Sequence, residues 1–134
     1  MKYTKLGNSD LTVSRICMGC MGFGDAAHGQ HTWTIDEEHS REIIRRGLDL
    51  GVNFFDTAIA YQSGTSEQYL GRALKDFAKR EDVVVATKFL PRTQDEIEAG
   101  VTGQQHIERM LNKSLENLGM DHVDLYIYNM WDHQ

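Results

Sequence analysis

The chain has 134 residues, 40% hydrophobic and 25% charged, with a formal net charge of −6. Those proportions fit a single soluble globular domain rather than a disordered segment. The longest basic cluster, Arg45-Arg46, falls inside a helical pattern, so nucleic-acid binding, which needs a clustered basic face, is not expected. No window approaches the roughly 18 apolar residues of a membrane span. Residues 1–10 hold no signal-peptide core, and two cysteines form no secreted disulfide framework. A cytoplasmic protein without membrane contact is the expectation.

Tyr3 to Leu6 and Leu11 to Ser14 flank the polar turn Gly7-Asn8-Ser9-Asp10 and read as a hairpin. Arg15 to Met18 follow as a strand that enters the glycine-rich loop Gly19 to Gly24. A helix is expected from Ile35 to Leu50, opened by a capping box at Thr34-Ile35-Asp36-Glu37. Ile43, Ile44, Leu48 and Val52 supply its apolar face, and Gly51 stops it. Asn53 to Thr57 reads as a short buried strand.

The pattern then repeats. A second capping box, Thr65 to Gln68, precedes a helix with Tyr69, Leu70, Ala73, Leu74 and Phe77 at helical spacing. Val83 to Lys88 is a continuous β-branched run, as in a strand buried on both faces. A third capping box, Thr102 to Gln105, opens a helix lined by Ile107, Leu111, Leu115 and Leu118 and ended by Gly119. Val123 to Tyr128 forms the fourth strand. Alternating strands and helices imply a parallel sheet with right-handed crossovers. Two closures fit that order: an open doubly wound sheet, or a (β/α)8 barrel cut short after its fourth strand. An open flavodoxin-type sheet predicts a phosphate-binding loop joining strand directly to helix, and none is visible.

Polar residues fall where strands end. Asp56 follows Phe54-Phe55, Lys88 closes the Val83–Thr87 run, and Asn129 closes the fourth strand. In a barrel those ends form one rim, from which catalytic groups come. Each residue singly also has a plainer reading, as a turn former or a solvated charge; the coincidence of three favours a site. Tyr61 lies five residues beyond Asp56. A free phenol titrates at about 10, and a nearby ammonium stabilises the phenolate and lowers that value. Asp56 can hold Lys88, so the three residues form a coherent proton donor for a carbonyl oxygen.

Other motifs carry less. Cys17-Met18-Gly19-Cys20 is C-x-x-C, but no helix start follows and no second pair exists for zinc. His28 and His31 lack a third ligand, so no metal site is expected. Gly19 to Gly24 reads G-x-x-G-x-G, which is not a dinucleotide-binding fingerprint, although glycines let a backbone approach a flat ligand.

Leu6-Gly7 with Val13-Ser14, the loop Met18 to Gly24, Gly51 to Ala58 with Tyr61, Ser66-Glu67 with Leu70-Gly71, Thr87-Lys88, and Leu118 to Asp121 with Asp124-Leu125-Tyr126 resemble the aldo-keto reductases. The likeness runs through nearly the whole chain in order. It implies a (β/α)8 TIM barrel closed at its bottom by the N-terminal β-hairpin, with residues 1–134 as its N-terminal half, a single incomplete domain. It also implies NADPH-dependent reduction of aldehydes or ketones, or the reverse oxidation. In that pattern Tyr61 is the general acid, Lys88 lowers its pKa and Asp56 pairs with Lys88. The nicotinamide sits near Met21, Gly22 and Asp56. The family's fourth site residue is a His, in D-L-Y-x-x-H; here it is Asn129. A carboxamide can still donate a hydrogen bond but cannot titrate near neutral pH, so weakened or altered activity is expected. A barrel takes about 250 residues, and this chain stops at Gln134, just past the fourth strand. The expectation is therefore a truncated barrel with impaired turnover, whose open edge invites self-association. The alternative is a non-catalytic binding or assembly module. Trp131 is placed near the rim.

Overall fold

The computed structural model describes residues 1–130; Trp131, assigned above to the rim, lies outside them. Strands β1 (Tyr3–Lys5) and β2 (Thr12–Ser14) form the antiparallel hairpin, with Tyr3 opposite Ser14. Asn53 anchors it below the sheet: its side chain accepts from the Ser14 amide at 2.7 Å and donates to the Thr12 carbonyl at 3.1 Å.

Four parallel strands follow in the order β3 (Met18–Gly19), β4 (Phe54–Asp56), β5 (Val84–Phe89) and β6 (Leu125–Tyr128). Helices α1 (Glu37–Asp49), α2 (Thr65–Phe77), the short α3 (Gln94–Glu98) and α4 (Gly103–Leu118) lie between them. Phe55 and Val85 pack with Ile44, Leu70 and Leu118 in one buried cluster. Because side chains alternate across a strand, the neighbours of Phe55 and Val85 point to the opposite face. That face carries Asp56 and Lys88.

Several boundaries differ from the sequence reading. The third strand was expected over Arg15–Met18, but only Met18 and Gly19 pair with β4. Residues 15–17 are exposed, and the Ser14 hydroxyl bonds the Ile16 carbonyl at 2.7 Å. The first capping box also fails. Asp36 caps α1, accepting from the His39 amide at 2.9 Å, while Thr34 is buried beneath the Gln62 amide. Ile43, assigned to the apolar face of α1, is 45% exposed; the buried stripe runs through Ser40, Ile44 and Gly47.

The second box fails for the same physical reason. Gly64, left-handed at φ 89°, occupies the cap of α2, Thr65 is taken up by the Gln62 carbonyl and the Asp25 amide, and Ser66 and Glu67 spend their polar atoms on distant partners. Ser66 donates to the Cys20 carbonyl at 2.7 Å, and Glu67 accepts from Thr87 at 2.7 Å and Asn117 at 3.0 Å. The third box, Thr102 with Gln105, is present, and a fourth at Thr93 with Glu96 opens α3, which the sequence reading passed over. Strand β6 begins at Leu125 rather than Val123, because the Asp124 carboxylate takes the Val85 amide at 2.9 Å and Arg80 at 2.8 Å. Gly71 lets α2 and α4 meet: a methyl there would overlap the Leu118 carbonyl.

Candidate active site

The rim begins with β4 and β5 side by side, Asp56 opposite Ala86 in register. Lys88 reaches back along that rim. Its Nζ donates to Asp56 Oδ2 at 2.7 Å, Asp56 Oδ1 at 2.8 Å and the Thr57 carbonyl at 2.8 Å. An ammonium has three donors, so this geometry satisfies all of them and fixes the side chain. Lys88 is 11% exposed and Asp56 33%, a partly desolvated pair that opens to solvent on the Asp56 side.

The chain from Thr57 to Tyr61 is pinned to β5. Thr57 and Ile59 donate to the Ala86 and Lys88 carbonyls at 3.0 and 3.1 Å. Tyr61 then opens a short 3-10 turn, Tyr61–Gly64, and the Lys88 Nζ sits 5.1 Å from its ring centroid. That is within range of a cation–π contact. The structure thus brings Asp56, Lys88 and Tyr61 together.

The glycine loop borders the same rim. The Cys20 amide donates to the Asp56 carbonyl at 2.8 Å, and Ser66 holds the Cys20 carbonyl. Gly19 has open space where a Cβ would stand, and Gly22 lies 3.9 Å from the Trp33 ring by the same construction. Met21 is 42% exposed. Asn129 stands exposed just past β6, its backbone amide donating to the Phe89 carbonyl at 3.0 Å.

Two thiols adjoin this rim and neither is primed as a nucleophile. Burial, then the charge of Asp56, drives the Cys20 thiol far above the ordinary range. Cys17 is raised by the same causes in the same order. Neither favours the thiolate that nucleophilic chemistry needs. Among the described residues, no group of three or more His, Cys, Asp or Glu could hold a metal ion. A second phenol, Tyr126, is pushed up to about 12 by desolvation and then by the Glu67 charge. It is not at this rim, since its strand neighbour in register is Thr87, whose hydroxyl points at Glu67.

A cleft of about 660 Å³, lined among others by Gly71, Leu74, Val83, Met120 and His122, lies at the opposite end of the sheet. It contains none of the rim residues, so cavity size and the clustering of chemistry disagree here. The clustering is the better guide, because the polar groups at the cleft pair at its surface, His122 with Asp121 at 2.6 Å and Arg80 with the His122 carbonyl at 3.1 Å, and none of them joins the Asp56, Lys88 and Tyr61 cluster.

Residues 15–134 match the model of the Aldo/keto reductase family, and the chain belongs to that family. It is similar to aldo-keto reductase YhdN of Bacillus subtilis, 34% identical over 126 residues that cover 94% of this chain and 37% of that protein. It is also similar to the probable voltage-gated potassium channel subunit beta of Oryza sativa subsp. japonica, 35% identical over 127 residues that cover 93% of this chain and 36% of that protein. Among solved structures, the holo form of aldo-keto reductase AKR11C1 from Bacillus halodurans matches with a TM-score of 0.74 at 34% identity, covering 95% of this chain and 40% of that one. An aldo-keto reductase from Klebsiella pneumoniae in complex with NADPH matches with a TM-score of 0.69 at 26% identity, covering 92% and 37%. These neighbours are (β/α)8 barrels, and the hairpin with β3 to β6 is part of such a barrel. The chain spans between 36% and 40% of the lengths of these four proteins. The family points to oxidoreductase chemistry.

Proposed function

We propose that this chain carries the proton-donating site of an oxidoreductase that reduces aldehydes or ketones with NADPH. The observation that carries the reading is the Lys88 ammonium, held by Asp56 and the Thr57 carbonyl, beneath the Tyr61 ring. A substrate carbonyl placed over this group accepts a hydrogen bond from the Tyr61 hydroxyl. As negative charge develops on the carbonyl oxygen, Tyr61 passes its proton across and becomes a phenolate. Lys88 stabilises that phenolate, and Asp56 keeps the ammonium from swinging away. A preorganised charge of this kind acts without reorganising at the moment of reaction. Asn129 can donate a further hydrogen bond to the same oxygen, but a carboxamide supplies no proton near neutral pH.

The residues present fit a flat cofactor ring. Gly19 leaves open space beside Asp56, and Met21 is exposed on the same loop. Met21, Gly22 and Asp56 would hold the nicotinamide end, and bound NADPH would supply the hydride. The complex with NADPH from Klebsiella pneumoniae supports that choice of cofactor.

A second reading is an assembly module. One relative bears the name of a channel subunit. NADPH titrated against the chain, followed by tryptophan fluorescence and then by NADPH consumption with benzaldehyde, separates the two. Saturable quenching and consumption are expected. Absence of saturable binding would rule out the reductase and leave the assembly module.

A further inference from the structure

Two non-glycine residues among those described have positive φ, and both directly follow Tyr61. Gln62 lies at φ 49°, ψ 50° and Ser63 at φ 55°, ψ 35°, and Gly64 continues the left-handed run at φ 89°. Long side chains avoid this region because Cβ crowds the following carbonyl. Such strain persists only where the surroundings over-determine it, and it clusters at functional sites.

The surroundings here are specific. Gln62 is 1% exposed, and its carboxamide spends every polar atom on one loop, residues 25–34. Nε2 donates to the Asp25 carbonyl at 2.8 Å, to the His31 carbonyl at 2.8 Å and, more weakly, to Thr34 Oγ1 at 3.3 Å. Oε1 accepts from the His31 amide at 2.9 Å. Gly24 and Gly29 press against the same side chain: a Cβ on Gly24 would stand 2.7 Å from the Gln62 Cγ, and one on Gly29 would stand 2.8 Å from Oε1. Thr65 adds a second tie, donating to the Gln62 carbonyl at 2.7 Å and accepting from the Asp25 amide at 2.9 Å. The loop so held carries Trp33, whose ring lies 4.6 Å from that of His31 between centroids, tilted by 32°, and is seated by Gly22.

We infer that Gln62 is a positioning residue: its carboxamide bolts the 25–34 loop to the left-handed turn and thereby fixes Tyr61 over Lys88 and Trp33 beside the glycine loop. The alternative is a buried amide that merely satisfies loop backbone. That role would account for the hydrogen bonds, but a loop can be satisfied from any unstrained position. It does not account for a long side chain held in a left-handed turn directly after Tyr61. The inference rests on the reading of Tyr61 as the proton donor.

The test uses Gln62→Gly and Gln62→Asn, which suit the left-handed backbone better than glutamine but cannot reach the loop, and Gln62→Glu, which keeps the reach and the bond from the His31 amide but loses the two donors. In the wild-type chain Lys88 Nζ lies 5.1 Å from the Tyr61 ring centroid, so the Lys88 ε-methylene protons are expected to carry a ring-current shift, read by NMR with isotope-labelled lysine. A Trp131→Phe background leaves Trp33 as the sole indole, since the chain has two tryptophans. Expected is loss of the Lys88 shift and greater quencher access to Trp33 in Gln62→Gly and Gln62→Asn, with an intermediate response in Gln62→Glu. Thr102→Ala, which weakens α4 away from the turn, leaves both signals in place and so marks the effect of destabilisation alone. Wild-type signals in a folded Gln62→Gly, or failure of both Gln62→Gly and Gln62→Asn to fold, would overturn the positioning role. If the wild-type chain consumes NADPH with benzaldehyde, kcat falls in Gln62→Gly by up to about 10²-fold, as a misplacement of about 1 Å can cost, while NADPH binding stays within about twofold. If the wild type shows no consumption, the reductase reading fails, and the Lys88 and Trp33 signals still decide the role of Gln62.

Discussion

The two faces of the β4–β5 pair use polar residues in opposite ways. Towards the helices, Thr87 and Glu67 are fully buried, and Glu67 accepts from both Thr87 and Asn117. Their chemistry ends in structure, because the Thr87 hydroxyl and both Glu67 oxygens meet partners inside the protein, although the buried Tyr126 hydroxyl beside them finds none among the described residues. Towards the rim, Lys88 and Asp56 are paired as closely, yet Asp56 remains a third exposed and Tyr61 stands beside them with its hydroxyl uncommitted to any hydrogen bond among the described residues. Adjacent residues of one strand, Thr87 and Lys88, thus belong to different systems. The difference teaches that pairing alone does not mark a site; pairing that opens onto solvent beside an available proton does.

The comparison breaks if damage to the helix face also dismantles the rim. Leu70→Ala empties a fully buried position in the core cluster and is expected to cost about 2–5 kcal/mol in denaturant unfolding. The Lys88 ring-current signature should persist in the fraction that remains folded. A smaller loss, about 1 kcal/mol, is expected for Thr102→Ala, which removes a cap that exists. In Thr34→Ala no cap is lost, because Asp36 caps α1; any destabilisation there should instead come with a freer 25–34 loop, read by amide exchange at His31.

On the rim side, Asn129→His restores a titratable donor at the end of β6. A gain in carbonyl reduction is expected, because an imidazole offers a proton that titrates near neutral pH where the carboxamide offers only a hydrogen bond. Unchanged rates would mean that Asn129 does not face the substrate. The smallest effect is one of pH. The His106 bond, then the Thr93 amide, holds the Glu96 carboxyl below its ordinary 4.5. A depressed carboxylate contributes stability that is full above the unfolded value and disappears as pH falls through the folded one. The thermal stability of the wild type should therefore fall below about pH 4.5, and Glu96→Gln should flatten that limb. A wild-type curve with the same acid slope as Glu96→Gln would contradict it.

Much of the barrel segment was legible, because β-branched runs and helical spacing report burial directly. Asp56 and Lys88 stood out as polar residues ending apolar strands, and Tyr61 by its spacing from Asp56. What the sequence hid were choices made by distant partners. Thr34 and Thr65 look like caps but bond Gln62 and Asp25, which only folding brings near. Gln62 carries no local signal at all: a glutamine in a polar run gives no hint of a left-handed backbone. Glu67 reads as an inner residue of the Thr65 to Gln68 capping box and is a buried acceptor for Thr87. The short helix α3 escaped because its box, Thr93 with Glu96, precedes too few apolar residues for a periodic pattern.

The most direct measurement is NADPH consumption with benzaldehyde by Tyr61→Phe beside the wild-type chain. The substitution removes one hydroxyl, keeps the ring over Lys88 and leaves folding stability within about 0.5 kcal/mol. A rate lower by about 10²–10⁴-fold, with NADPH binding retained, is the result expected of a proton donor. Equal rates in the two proteins would contradict that role.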